Sequence, residues 1–329
     1  MTELRYNPLE DRYVMVAGHR EARPQMPTDW CPFCPGSGKV PDDYRIYAYP
    51  NDFPALSVPP REMTQTDHGL YRALPAHGYC EVILYSPDHN GSIARLPDDH
   101  LLDLFHLWRE RYAFFAKKDE IRYVFIFENK GDVIGVTMPH PHGQLYALPF
   151  IPPRLATEIQ CARAFYERTG KNLFDAIRDQ EIEDASRIVF EREGFVAFIP
   201  FFADFPYEVH IHPHGSQRSL LDFDENSGLR LMRVIRLMVR TYDSLYGFEL
   251  PFMMSLHQEP TDGGNHRSFR FYVKFTPIHR APDNIKYCAT TETDANAHCN
   301  PSYPERRVTE LRAALLRAEQ GMAHDSTAS

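Results

Sequence analysis

His140-Pro141-His142-Gly143-Gln144 places two imidazoles two residues apart, beside a glycine and a neutral amide. The set suits attack on phosphorus. An imidazole with an unperturbed pKa of about 6.5 is a competent nucleophile at neutral pH without a separate base. On an extended chain the two rings lie on one side, roughly 6–7 Å apart, so one can bind a metal while the other faces a substrate. Attack on an α-phosphorus gives a phosphoramidate, reactive enough to hand a nucleotidyl group onward. The other ring nitrogen must donate to a carbonyl to fix the tautomer. Gly143 is expected to let a phosphate approach the backbone. Gln144 can donate to a non-bridging oxygen but cannot deliver a proton, which suits a leaving group that needs none.

Cys31-Pro32-Phe33-Cys34 has the spacing with which two thiolates grip one zinc. On spacing alone it fits equally a redox pair or two buried thiols. No second CxxC exists, so the remaining ligands would be histidines, and His89 and His140 are the best candidates. Two thiolates and two imidazoles close a tetrahedron, which implies a structural zinc. It would pin the loop-rich N-terminal segment to the strand carrying His142. Taken alone, His89 reads more simply as a satisfied polar group on a turn. His210-Ile211-His212-Pro213-His214 is a second histidine cluster. It aligns with Ile83, Tyr85 and Pro87 of the first half, and reads as strand-end side chains.

The elements that must position these residues occur twice. Residues 1–60 are rich in proline and turns and read as loops and short strands. Residues 79–85 form a strand by their β-branched and aromatic content. Leu101, Leu104, Phe105, Trp108, Tyr112 and Phe115 recur at helical spacing, with Asp98 as the expected N-cap. Residues 123–127 are a strand, followed by a glycine-bearing loop and the segment 140–148. In the second half a strand is expected at 205–211. A helix with Leu229, Met232, Ile235, Val239 and Tyr242 on one face follows, then strands at 251–256 and 268–275. The two copies lie about 127 residues apart, the separation of Glu81 from Glu208. The pattern predicts an α+β fold, a duplicated unit of antiparallel strands with helices packed on one face. The N-terminal repeat is expected at residues 1–150 and the C-terminal repeat at 151–329. Residues 155–166 read as a helical connector, 304–320 as a terminal helix and 324–329 as a disordered tail.

The 329 residues are 43% hydrophobic, enough for one large domain or two intimate ones. The formal charge of -9, from 36 Lys+Arg against 45 Asp+Glu, argues against a nucleic-acid or anionic-membrane partner. No secretory signal or membrane-length apolar run is apparent. Six cysteines in a chain this long do not make a disulfide framework. A cytoplasmic protein with a metal site is expected.

Several motifs in one order make the chain resemble the galactose-1-phosphate uridylyltransferases, within the histidine triad superfamily, over roughly residues 5–320. They are His19-Arg20-Glu21-Ala22-Arg23-Pro24, Cys31-x-x-Cys34, Asn51-Asp52-Phe53, Ser86-Pro87-Asp88-His89, Phe127-Glu128-Asn129-Lys130-Gly131, Gly135 and the His140–Gln144 pentapeptide. The resemblance implies that Cys31, Cys34, His89 and His140 bind zinc, that His142 carries uridylyl, and that Gln144 steadies the phosphorus. It matches Asn51, Asp52 and Val82 to positions that hold uridine and ribose. Asn129, Gly135 and Thr137 match positions lining the phosphates, and Lys286 and Glu292 belong to the sugar-phosphate segment. Arg20 and Arg23 match arginines that reach the phosphate region of the neighbouring subunit. The family fold is a duplicated, mostly antiparallel half-barrel with outer helices, and it works as a homodimer. The reaction implied is ping-pong transfer of UMP from UDP-glucose to a hexose 1-phosphate, galactose 1-phosphate by family habit.

The sequence also departs from the pattern. His257 matches one ligand of a second metal site found in some relatives, but Tyr272 and Lys274 stand where two histidines would be. This second site is expected to be absent. Thr290 and Thr291, and the stretch Asp294-Ala295-Asn296-Ala297-His298, are unusual for the sugar-phosphate segment. A related nucleotidyltransferase or phosphorylase using another nucleotide or sugar phosphate is the near alternative. A non-catalytic nucleotide-binding module is the alternative of another class, and an intact His142 with Gln144 argues against it. A zinc-dependent nucleic-acid binder is disfavoured by the charge and the single CxxC.

Overall fold

The computed structural model describes residues 1–23 and 30–327; Pro24 of the first motif and residues 328–329 of the expected tail lie outside the described residues. The chain opens with β1 (Glu3–Asn7) and β2 (Arg12–Val16), followed by β3 (Tyr47–Pro50) and β4 (Ala73–Pro75). The first repeat proper is β5 (Tyr79–Leu84), α1 (Asp98–Ala116), β6 (Tyr123–Lys130) and β7 (His142–Leu148). Helices α2 (Pro153–Thr169) and α3 (Leu173–Asp184) and strands β8 (Ile188–Arg192) and β9 (Phe195–Phe198) connect it to the second. That repeat is β10 (Val209–Pro213), α4 (Glu225–Tyr246), β11 (Phe252–His257) and β12 (Tyr272–Pro277). A short pair, β13 (His279–Ala281) and β14 (Asn284–Ile285), a one-turn helix α5 (Thr290–Thr293) and α6 (Pro304–Thr327) complete the chain.

Nine strands form one antiparallel sheet in the order β3-β5-β7-β6-β11-β12-β10-β9-β8. The order is symmetric about the β6–β11 pair. Each repeat contributes the same three strands, arranged outward from that seam as third, then fourth, then first element. The register repeats too. Val82 stands opposite Gln144, which stands opposite Phe127. His210 stands opposite Lys274, which stands opposite Ser255. Val82 therefore corresponds to His210, Phe127 to Ser255 and Gln144 to Lys274. This shifts the sequence alignment of the second histidine cluster by one residue, and in a strand one residue exchanges the faces. Ile83 and Tyr85 point into the main core, as Val209 and Ile211 do. His210 and His212 are strand side chains, as expected, but they share the opposite face with Val82 and Leu84.

The main core lies between the sheet and α1, α4 and α6. The two long helices are tied across the pseudo-symmetry axis. Gly228 of α4 sits where a Cβ would collide with the Phe105 ring of α1. Asp98 is the first residue of α1 rather than its cap, a place taken by Pro97; its carboxylate accepts from Arg233 and Arg236 of α4 at 2.6 and 2.8 Å. Helix α4 forms where expected, begun by a capping box between Asp224 and Ser227 and closed by Gly247 at φ 79°.

Helices do not keep to one face. Ile159, Ala162 and Phe174 of α2 and α3 pack on Phe269 and Tyr272, on the other side of β12. The second repeat is thus covered on both faces, whereas the first keeps its β7 surface open. The first strand of the second repeat begins at Val209, because residues 205–207 form a bend and turn. Helix α6 continues past residue 320 to Thr327, into the segment expected as a tail. Among the described residues no helix is long and apolar enough to cross a membrane.

Candidate active site

Alternation along β7 puts His142 and Gln144 on the open face and Gly143 and Leu145 toward the core. His142 is 8% exposed. Its Nδ1 lies 2.7 Å from the carbonyl oxygen of His140, so Nδ1–H donates there and the Nε2 lone pair is free. Burial pushes the His142 pKa below the ordinary imidazole value, and the Arg23 cation adds to this. The ring is therefore neutral at pH 7, as a nucleophile must be. Phe33 packs against both histidines, with ring centroids 6.0 Å from His140 and 5.8 Å from His142.

Gly143 differs from expectation. A Cβ built there would not enter the open face, but would collide with the Tyr85 hydroxyl and lie 3.2 Å from the Phe127 carbonyl oxygen. The glycine is required by what lies behind the strand, not by a phosphate in front.

Two pockets meet at His142 and Gln144. One is largely apolar and aromatic, with Trp30, Phe33, Tyr49, Phe53, Val82 and Met138 joined by Asn51 and Asp52. The other is polar, lined by Arg20, Arg23, Asn129, Gly135, Thr137 and Tyr146. Thr137 lines both, and its buried hydroxyl has no partner among the described residues, so a ligand oxygen would satisfy it. Asn51 shapes its turn by accepting from the Phe53 amide at 2.8 Å, and Asp52 accepts from Tyr49 at 2.9 Å. Arg20 donates to the Phe53 carbonyl and the Tyr146 hydroxyl, each at 3.3 Å. Both arginines line the pocket of their own chain.

Cys31, Cys34, His89 and His140 converge, their ligand atoms all within 4.8 Å of one another. Cys34 Sγ is 3.4 Å from His89 Nδ1 and 3.6 Å from His140 Nδ1, and Cys31 Sγ is 3.7 Å from His140 Nδ1. A tetrahedral zinc with Zn–S near 2.3 Å and Zn–N near 2.0–2.1 Å sets sulfur and nitrogen about 3.5 Å apart, so the four residues fit that ion. The outer partners fit as well. His140 Nε2 donates to the Ser86 carbonyl at 2.8 Å, which turns Nδ1 toward the cluster. A metal ion can bind here, joining the 31–34 loop, the turn after β5 and the start of β7.

Lys286 and Glu292 are paired with each other at 3.2 Å, Lys286 lying over the Phe205 ring. Among the described residues neither lines the two pockets that meet at His142. The sequence reading missed Trp30, Phe33, Tyr49, Met138 and Tyr146. Two had signals: Trp30 directly precedes the CxxC, and Tyr49 lies two residues before Asn51.

The same place in the second repeat is filled otherwise. Tyr272 takes the position of His142 and Lys274 that of Gln144. Lys274 pairs with Glu208 at 2.8 Å, and His210 lies 3.1 Å from the same carboxylate. Glu158 of α2 accepts from His257 and from the Tyr272 hydroxyl, each at 3.1 Å.

Comparison with known proteins gives one answer. A family model described as galactose-1-phosphate uridyl transferase, N-terminal domain, matches residues 1–152, and its C-terminal counterpart matches residues 158–289. The galactose-1-phosphate uridylyltransferase of Thermotoga maritima is 36% identical over 314 residues, spanning 95% of this chain and 98% of the relative. That of Schizosaccharomyces pombe is 28% identical over 359 residues, spanning 97% and 95%. A solved uridylyltransferase aligns with a TM-score of 0.87 at 28% identity, over 96% of this chain and 99% of its own. An ADP-glucose phosphorylase from Arabidopsis thaliana shares the fold, with a TM-score of 0.73 at 22% identity over 95% and 99% of the two chains.

Proposed function

The chain belongs to the galactose-1-phosphate uridylyltransferases, enzymes of UMP transfer in galactose metabolism, and we propose that it works in two steps through His142. The observation that carries this reading is the 2.7 Å contact from Nδ1 to the His140 carbonyl, which leaves Nε2 free where the aromatic and the polar pocket meet. With uridine in the first pocket and the diphosphate in the second, Nε2 attacks the α-phosphorus of UDP-glucose. The N–P bond forms as the bond to the bridging oxygen breaks, and glucose 1-phosphate leaves as an anion that needs no proton. The ring then carries uridylyl on Nε2 and a proton on Nδ1, and its positive charge is eased by the His140 carbonyl. A phosphate oxygen of galactose 1-phosphate reverses the step and gives UDP-galactose. Gln144 and the two arginines hold the non-bridging oxygens as charge develops.

Cys31, Cys34, His89 and His140 are read as the ligands of a structural zinc, which supplies cohesion among loops rather than a Lewis acid. In the second repeat Lys274, not an ion, is read as neutralising the buried Glu208. The working form is read as a cytoplasmic homodimer of chains with repeats at residues 1–150 and 151–329. That Lys286 and Glu292 line neither described pocket beside their own chain's His142 supports a partner that brings them to it.

The test is exchange of label between UDP-glucose and glucose 1-phosphate in the absence of acceptor, with capture of the uridylyl enzyme. His142→Ala should abolish both, and retained exchange sinks the mechanism. Release of the captured group by a panel of sugar phosphates then identifies the acceptor, which the altered 290–298 segment bears on.

A further inference from the structure

We propose that Tyr85 and Glu128 are positioning residues for this reaction, acting on His142 through Gly143 from behind the catalytic strand. The proposal rests on the nucleophile assigned above and extends it to the layer beneath.

Tyr85 touches the chain on both sides of His142. Its amide donates to the Pro141 carbonyl at 3.2 Å. Its hydroxyl occupies the space a Gly143 side chain would need, and even its Cζ would lie 3.0 Å from a Cβ there. Tyr85 itself is fixed, 1% exposed and edge-on to Trp108 with centroids 6.1 Å apart. A buried tyrosine hydroxyl needs a partner; burial pushes the Tyr85 hydroxyl pKa up, the buried Glu128 carboxyl adds to it, and we place Glu128 as that partner. Glu128 follows Phe127, the residue opposite Gln144. Its Oε2 has no partner among the described residues. Lys130, the nearest cation, is engaged by Asp243 at 3.3 Å and Glu249 at 3.1 Å. A buried carboxyl so placed favours its neutral acid; burial pushes its pKa up to about 7 against the pull of Lys130.

The second repeat is an internal control. By the strand register, Tyr85, Glu128 and Gly143 correspond to Pro213, Leu256 and Val273. The copy without a nucleophilic histidine fills all three places with apolar side chains. If the trio only held the fold, nothing would confine it to the reactive copy. Buried polar groups retained at one copy alone mark a site where local stability yields to function.

Two comparisons test this, each read in kcat and KM for exchange, in melting temperature and in UDP affinity by calorimetry. Gly143→Ala should lower kcat on the order of 100-fold with KM within about threefold, as expected for a displaced nucleophile. Adding Tyr85→Phe should recover at least tenfold, because it removes the colliding oxygen. The pair Tyr85→Phe/Glu128→Leu should lower kcat about tenfold while the melting temperature stays or rises, since both polar partners are replaced together. The proposal is overturned if Gly143→Ala raises KM at unchanged kcat, if Tyr85→Phe gives no rescue, or if the apolar pair loses stability and keeps kcat. Should Gly143→Ala not fold, the apolar pair decides alone. Failure of the His142 mechanism would show instead in the unmodified enzyme, as no captured uridylyl group.

Discussion

Gln144 and Lys274 occupy one position in two copies of the same strand trio, and only Gln144 faces a pocket. The duplication gave two equivalent faces. The second is closed by α2, whose Glu158 reaches His257 and Tyr272, and its centre is held by an ion pair. By the mechanism proposed above one copy does chemistry, and the other fastens the connector helices.

Breaking that ion pair should cost stability and not activity. Lys274 and Glu208 have side chains only 14% and 2% exposed. Lys274→Met leaves the buried Glu208 carboxylate with only His210 and the Asp204 amide beside it, with an expected loss of about 3 kcal/mol in urea unfolding. Exchange kinetics at 25 °C should stay within twofold of the parent. A loss below about 1 kcal/mol would remove the pair's assigned role.

The same pair sets an acid limb. Burial would raise the Glu208 pKa, but His210 and Lys274 outweigh it and hold it at about 2, below the usual 4.5. A lowered folded pKa contributes stability that is complete above the unfolded value and is lost as pH falls toward the folded one. The urea midpoint should therefore drop between about pH 4.5 and 2, and Glu208→Gln should flatten that drop. An unchanged slope in the variant would assign the acid lability elsewhere, with Glu3, also held at about 2, the next carboxylate to examine.

Much of the site was legible because the chemistry is written in short motifs. The metal set, His142, Gln144 and the pocket residues from Asn51 to Thr137 all converge, and each lies in a contiguous segment with a distinctive residue type. What was not legible depended on facing. Whether His210 aligns with Ile83 or Val82 is a one-residue difference that reverses inside and outside, and only the β10–β12 register decides it. Gly143 was assigned to the phosphate for the same reason: its neighbours face the ligand, and a strand's alternation turns the glycine the other way. The cover over β12 comes from Ile159 and Phe174, ordinary apolar helix residues whose partner no local pattern specifies.

Removing thiolates should release metal before it alters chemistry. Cys31→Ser/Cys34→Ser should lose about one equivalent of zinc by atomic emission and lower the melting temperature, since only His89 and His140 of the closed set remain. Unchanged zinc content would refute the ligand assignment.

Trp30 offers an optical report on the nucleotide pocket. The chain has two tryptophans; Trp108 is wholly buried, while Trp30 is 54% exposed and lines the aromatic pocket. UDP should change the emission through Trp30, by stacking of the base or by closing the pocket. Trp30→Ala should abolish the change and raise KM for UDP-glucose roughly tenfold at nearly constant kcat. A signal that survives the substitution would put the base elsewhere.

Mixing inactive variants decides which chain supplies each cation. Arg23 lines its own chain's pocket beside His142, whereas Lys286 does not. In a homodimer, equal mixing of two variants after mild unfolding gives half heterodimers. If Lys286 serves the partner's site, Lys286→Ala mixed with His142→Ala rebuilds one intact site per heterodimer, about a quarter of the parent activity. If Arg23 serves its own site, Arg23→Ala mixed with His142→Ala rebuilds none, because every chain with an intact nucleophile lacks its arginine. Recovery in the second mixture would place Arg23 across the interface. No recovery in the first would place Lys286 in its own chain's site, and a fully active Lys286→Ala would leave it without a part in transfer.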